Sequence, residues 1–204
     1  MKIITRKNII ATFAIAMSFF HLYTAGIQQL PAMQQRTVHL CFALILVFLI
    51  FPFTKKTTSD FFKYVDYLLI AFCVFIGSYL LFQYETISAR SGSPDFLDCM
   101  SSVAAIVLVT EATRRIMGLT MCVLILISLA YVAFGSYLPP MFARSGYSFE
   151  RVVSHMFLTT EGILGVALNV SATVIITFLI FGSFLEQSGG SHAFTNIGYG
   201  LFGR

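Results

Sequence analysis

Five stretches of this sequence run without a single Asp, Glu, Lys or Arg: residues 8–35, 37–54, 67–84, 116–143 and 162–185. A helix that crosses a bilayer needs about 20 mainly apolar residues, each adding about 1.5 Å of rise. The stretches therefore predict spans at 8–26, 38–53, 64–83, 117–138 and 163–185. The second is short unless Val38 and Phe53 extend into the interface. One more span, fourth in chain order and bringing the total to six, is predicted at 96–113, although only Cys99 to Thr110 is uncharged there. It is accepted because Asp98 and Glu111 would sit at its two ends, solvated by water and headgroups. Composition agrees with this reading. The 204 residues are 57% hydrophobic and 11% charged, where a soluble domain carries about 25% charged residues. Collagen-like, disordered and small disulfide-stapled classes need other compositions, and a cytosolic enzyme would lack a polar surface. The expected fold class is an all-α integral membrane protein with six transmembrane helices and a short amphipathic helix on the outer surface.

Lys and Arg are enriched on the cytoplasmic side of membrane proteins. With six spans and the N-terminus inside, the inner segments hold Lys2, Arg6, Lys7, Lys55, Lys56, Lys63, Arg114, Arg115 and Arg204. The outer segments hold Arg36, Arg90, Arg144 and Arg151. Nine against four predicts a multi-pass membrane protein with both termini cytoplasmic. The first span also resembles the n- and h-regions of a secretory signal, with a poor cleavage site at Tyr23-Thr24-Ala25-Gly26. Five further spans follow it, so an uncleaved signal-anchor is expected. The net charge of +4 reflects this topology; no basic stripe with interleaved aromatics suggests nucleic acid.

Motifs for soluble chemistry fail on context. Gly198-Tyr199-Gly200-Leu201-Phe202-Gly203 fits a dinucleotide pattern, but no strand precedes it and no helix of such a fold follows. Asn169-Val170-Ser171 is a glycosylation sequon placed inside a span. Phosphate-loop, metalloprotease and nucleophile-elbow patterns are absent, so no catalytic residue and no enzyme activity are expected. Cys41, Cys73, Cys99 and Cys122 have neither metal-ligand nor redox spacing and read as small apolar fillers.

Ionised groups inside a span cost roughly 2.5–3.5 kcal/mol at the bilayer centre, so each one is informative. Asp66 lies three residues after Lys63 on one helix face, which predicts an interfacial ion pair. Glu111 with Arg114 and Arg115 has the same logic at a cytoplasmic helix end. His21 and His39 flank the first hairpin near the outer leaflet. A hydrogen-bonded pair or two unrelated interfacial side chains is the ordinary outcome, and a haem-binding redox anchor is the alternative. The segment Ser148–Leu158 places Phe149, Val152, Val153 and Met156 near one face and Arg151 and His155 elsewhere, as a surface helix would. In the sixth span, Gly162 and Gly165 stand at the start, with Asn169, Ser171, Thr173 and Thr177 along it. Gly182, Gly189 and Gly190 mark its end. Such residues serve close helix packing and interhelical hydrogen bonds, and also line solute paths; Asn169 and Ser171 are the candidates for substrate or ion contact.

Several pieces of this sequence, taken in order, resemble one family. They are Gln35-Arg36 with His39-Leu40 and Pro52, then Asp66-Tyr67, then Arg90, Gly92, Pro94 and Asp98. Glu111-Ala112-Thr113-Arg114-Arg115 with Gly118 follows, then Gly135, Leu138-Pro139 and Gly146-Tyr147-Ser148. The last pieces are Glu161-Gly162-Ile163-Leu164-Gly165, Val170-Ser171-Ala172-Thr173 and Phe181-Gly182. From about Leu22 onward the chain resembles the N-terminal part of a fused permease of the tripartite ATP-independent periplasmic (TRAP) transporters, the type paired with TAXI binding proteins. The resemblance implies that residues 1–115 form a four-helix scaffold like the small subunit, and that 116–204 begin the large transporting subunit. It implies uptake of an organic acid from a periplasmic solute-binding protein, coupled to sodium, with no cofactor held by this chain. Partners implied are that binding protein, the remainder of the permease and the lipid bilayer. Ala167 and Asn169 stand where many members carry Pro or Gly. The re-entrant hairpins that hold sodium and substrate in the family would follow Arg204, so this chain is expected to be a fragment or one piece of a split permease. Ser191–Phe202 is too short and Gly-rich to span, and reads as a lead-in with Gly189-Gly190 as hinge or helix stop. The third reading is a scaffold or assembly protein without transport.

Overall fold

The computed structural model describes residues 6–53, 60–89, 93–137, 139, 141 and 147–203. The readings made for Lys2, Lys55, Lys56, Arg90, Gly92, Leu138, Arg144, Gly146 and Arg204 fall outside them. Every regular element among the described residues is helical. The long helices are α1 (Arg6–Gly26), α2 (Ala32–Ile50), α3 (Asp60–Phe82), α5 (Phe96–Met117) and α6 (Leu119–Phe134). Short helices α4 (Tyr84–Ala89) and α7 (Phe149–Leu158) lie between spans. The sixth span joins α8 (Val166–Val170), a π-helical turn (Ser171–Ile175) and α9 (Ile176–Gln187); α10 (Gly190–Phe202) follows Gly189. Six helical segments are long and apolar enough to cross a membrane: Arg6–Gly26, Ala32–Ile50, Phe61–Phe82, Phe96–Met117, Leu119–Tyr137 and Val166–Gln187.

The core is where α2, α3 and α5 meet. Leu44 and Phe48 from α2, Cys73, Ile76 and Leu80 from α3, and Ala105 and Leu108 from α5 are all buried there. Helices α6 and α9 are apolar around most of their circumference and bury little. A helix of that kind has lipid as its solvent. Antiparallel neighbours follow from the connections. Arg6 Nε donates to the Leu49 carbonyl at 2.9 Å, so the start of α1 lies beside the end of α2. Gly118 at φ +87° ends α5 and lets α6 start at the next residue; a side chain there would be strained. Cys122 Sγ then lies 3.3 Å from the Thr110 carbonyl as α6 folds back along α5.

Three expectations need correction. The second span begins at Ala32 and ends at Ile50, earlier at both ends than 38–53. Pro52 disfavours helix at the residue before it, and Phe51 is accordingly extended. At the other end Gln35 and Arg36 lie inside the helix, where the sixth span and the turn before it supply their partners. Asp98 is not solvated at a helix end but buried. Its Oδ1 accepts from the Tyr79 hydroxyl at 2.6 Å and its Oδ2 from the Asp95 N–H at 2.9 Å. Helix α7 is anchored by Val152, Val153 and Phe157 against α5, while Phe149 is exposed. The expected Phe149 is thus replaced by Phe157 as its apolar anchor.

After α7 the chain turns tightly back: the Ile163 N–H donates to the Met156 carbonyl at 2.7 Å and the Gly165 N–H to the Gly162 carbonyl at 2.9 Å. A Cβ on Gly162 would stand 2.2 Å from the Met156 carbonyl oxygen, a backbone atom that cannot swing aside. Gly162→Ala should therefore lower the stability of the purified protein by about 1–3 kcal/mol, as overpacking does. Gly182→Ala, with nothing within 4 Å, should leave the thermal unfolding midpoint in detergent unchanged. Equal midpoints for the two variants would count against this turn.

Candidate functional site

Buried polar groups collect at the two ends of the helical assembly. At one end the first hairpin faces the entry of the sixth span. Pro31 precedes α2, and the first three turns of the helix carry Gln35, Arg36 and His39 toward the later segment. Arg36 Nε donates to Asn169 Oδ1 at 3.1 Å. Its Nη1 donates to the Leu164 carbonyl at 2.7 Å and lies 3.5 Å from that of Thr160. The turn after α7 thus gives Arg36 two backbone acceptors, as a guanidinium with five donors requires. Gln35 Nε2 donates to the Ala172 carbonyl at 3.4 Å, within the π turn. Such a turn widens the helix and is often found at functional positions.

His21 and His39 meet in the same seam. His39 Nδ1 lies 2.9 Å from His21 Nε2, and the rings cross edge to face at 81°. His21 Nδ1 lies 2.7 Å from the Met17 carbonyl, and His39 Nε2 lies 3.1 Å from Ser171 Oγ. All four ring nitrogens therefore have partners within the protein. Two imidazoles flanking one metal must hold their nitrogens roughly 4 Å apart, at metal–nitrogen bonds of about 2.0–2.1 Å. At 2.9 Å the pair is a hydrogen bond, and its geometry does not fit an iron between the rings. Beside it runs a groove of about 340 Å3 lined by Thr24, Gln29, Gln35, Thr173 and Thr177.

The second buried cluster lies at the opposite end. Arg115 at the end of α5 puts Nη1 2.6 Å from Asp66 Oδ1 and Nε 2.7 Å from Glu111 Oε1. Nη1 also donates to the Phe51 carbonyl at 2.9 Å. Arg114 holds both oxygens of Glu111, at 2.7 and 2.8 Å. The Arg115 guanidinium lies over the ring of Phe48 at 4.7 Å, and its Nη2 has no hydrogen-bond partner among the described residues. The Glu111–Arg114–Arg115 grouping expected from spacing is present. The pairing of Asp66 with Lys63 is not what the structure gives its carboxylate; the partner is Arg115, 49 residues further on.

The sequence candidates Asn169 and Ser171 are thus brought to one seam, but with Arg36 and His39 on the facing helix. Arg36 and Gln35 are the residues that sequence reasoning missed, since Arg36 was counted as an outer-loop charge. The four-residue step from Gln35 to His39 behind a helix-starting proline was the available signal. Among the described residues, no group of three or more His, Cys, Asp or Glu side chains could hold a metal ion. Near the α7 end of the assembly a wider cleft of about 510 Å3 is lined by Tyr84, Pro94, Asp98, Arg151 and His155.

Compared with known proteins, residues 104–204 match the family described as Tripartite ATP-independent periplasmic transporter, DctM component. No curated protein and no solved structure matches the chain.

The ion cluster yields a direct test. Removing one partner of a buried pair costs about 3–5 kcal/mol, whereas an exposed pair is worth about 0–1 kcal/mol. Asp66→Ala should lower the unfolding midpoint in detergent sharply, and Lys63→Ala should barely move it. The reverse order would restore the local pairing.

Proposed function

We propose that this chain, whose residues 104–204 match the family described as Tripartite ATP-independent periplasmic transporter, DctM component, works in a sodium-coupled importer of organic acids. The solute is delivered by a periplasmic binding protein of the TAXI type. The single observation that carries the transport reading is that family match. The polar seam supports it from another direction, since Arg36, Gln35 and His39 hold the first hairpin to the matched segment. An assembly of this kind needs interhelical hydrogen bonds where lipid offers none.

In this reading residues 1–115 act as the scaffold region and 116–204 open the transporting unit. Asn169 and Ser171 hold the sixth span to the scaffold through side-chain atoms turned toward α2. The protein lies in the inner membrane with both its N-terminus and its C-terminus cytoplasmic.

Two measurements test these statements. With native cysteines replaced, a cysteine at Thr57 should react with a membrane-impermeant maleimide only after the cells are opened; labelling of intact spheroplasts would reverse the orientation. For transport, the permease containing this chain is reconstituted with its binding protein and a panel of labelled organic acids. Uptake should require both the binding protein and an inward sodium gradient. Uptake that proceeds equally without sodium would remove the coupling, and uptake that needs no binding protein would remove the delivery step.

A further inference from the structure

The hydrogen-bond chain Met17–His21–His39–Ser171 has only one consistent direction when both rings are neutral. A carbonyl oxygen can only accept, so His21 Nδ1 carries the proton donated to Met17. A neutral imidazole bears one N–H, so His21 Nε2 accepts, and the proton on the 2.9 Å bridge belongs to His39 Nδ1. His39 Nε2 must then accept, which obliges the Ser171 hydroxyl to donate at 3.1 Å.

Ser171 differs here from its neighbours. Thr173 and Thr177 donate their hydroxyl protons back to carbonyls of their own helix, Asn169 at 2.8 Å and Thr173 at 2.6 Å. Ser171 donates out of its helix, and it is also the first residue of the π turn. The turn is gripped on both sides of its start, by His39 at Ser171 and by Gln35 at the Ala172 carbonyl. No charged residue lies between Gly162 and Leu185, so the sixth span offers no ion pair of its own for this docking.

We propose that His21 and His39 are positioning residues: a neutral relay, both rings in the Nδ1–H form, that directs the Ser171 hydroxyl and sets the π turn of the sixth span against the first hairpin. The role in transport rests on the function proposed above; the relay itself does not. His21 orients His39, and it is His39 that shares a hydrogen bond with the sixth span. Breaking the relay at either link leaves the helices in place and lets the π turn shift along α2.

The first test needs no transport. The full chain is labelled with 15N-histidine in lipid nanodiscs, with His155→Gln and His192→Gln removing the two other histidines. Both remaining rings should show a protonated Nδ1 and an unprotonated Nε2 at pH 7. An Nε2–H tautomer or an imidazolium at either ring would overturn the relay.

The second test separates positioning from bulk stability in the reconstituted permease. A glutamine places its amide near where Nε2 of histidine lies, and an asparagine near Nδ1. His39→Gln therefore keeps an acceptor for Ser171, while His39→Asn keeps only the contact with His21. Each loses one buried hydrogen bond, so their unfolding midpoints should be alike. Their maximal uptake rates should differ: His39→Asn and Ser171→Ala fall by roughly two- to tenfold, as one hydrogen bond would predict, and His39→Gln stays near wild type. Equal rates for the two His39 variants would overturn the positioning role. If wild-type protein takes up nothing, the transport reading fails and the tautomer measurement still decides the relay.

Discussion

Arg36 is a cation carried in the second turn of a membrane helix, and the segment from Thr160 to Asn169 is shaped to receive it. Its acceptors are a side-chain amide and two carbonyls. In lipid such groups have no water to fall back on, so each must be satisfied inside the protein. The carbonyls of Thr160 and Leu164 are presented by a turn that closes only because Gly162 lacks a Cβ. The turn in turn sets where α8 begins, and hence which residues of the sixth span meet Gln35 and His39. Helix α2, the glycine turn and the π turn therefore define one another.

The opposite end follows the same rule with different chemistry. Arg115 is almost wholly buried, with a side chain 2% exposed, and it serves two carboxylates, one carbonyl and an aromatic face. A buried ion pair gives little net stability over an apolar replacement, but breaking one leaves a charge that cannot be solvated. Such a pair fixes an arrangement more than it strengthens it. Here it joins the start of α3 to the end of α5 at the Gly118 corner, where α6 begins. The apolar middle of the assembly is bracketed by polar clusters that tie different helices together, which sets the register of helices that would otherwise slide in lipid.

The spans were legible in the sequence because each is a long apolar run, and lipid imposes that pattern along the chain itself. What the pattern could not deliver was the partner of a polar residue. Arg36 looked like the end of a span because its acceptors lie more than 120 residues later. Asp66 was assigned to Lys63 by the i,i+3 rule, which sees one helix at a time, while its partner comes from α5. Asp98 looked solvated for the same reason, since Tyr79 reaches it from a different helix. Helix α7 was placed correctly by its period, but the choice between Phe149 and Phe157 depended on what it packs against. The π turn at Ser171 leaves no breaker in the sequence. Asn169 and Ser171 were singled out as polar residues in a span, and their side-chain partners became visible only with α2 beside them.

The long sequence separation within the seam also bears on how the protein is made. Helix α2 enters the membrane with Gln35, Arg36 and His39 unpaired with the sixth span, whose residues are synthesised more than 120 residues later. At about 5–20 residues per second, the ribosome needs on the order of ten seconds to reach Ala172. Through that interval the first hairpin is an apolar segment that carries a cation with no partner from the sixth span, which is costly at membrane depth. It must be sheltered by the insertion machinery or wait at the interface. The hairpin of α1 and α2, made well before its partner, is thus complete only once the sixth span has joined it.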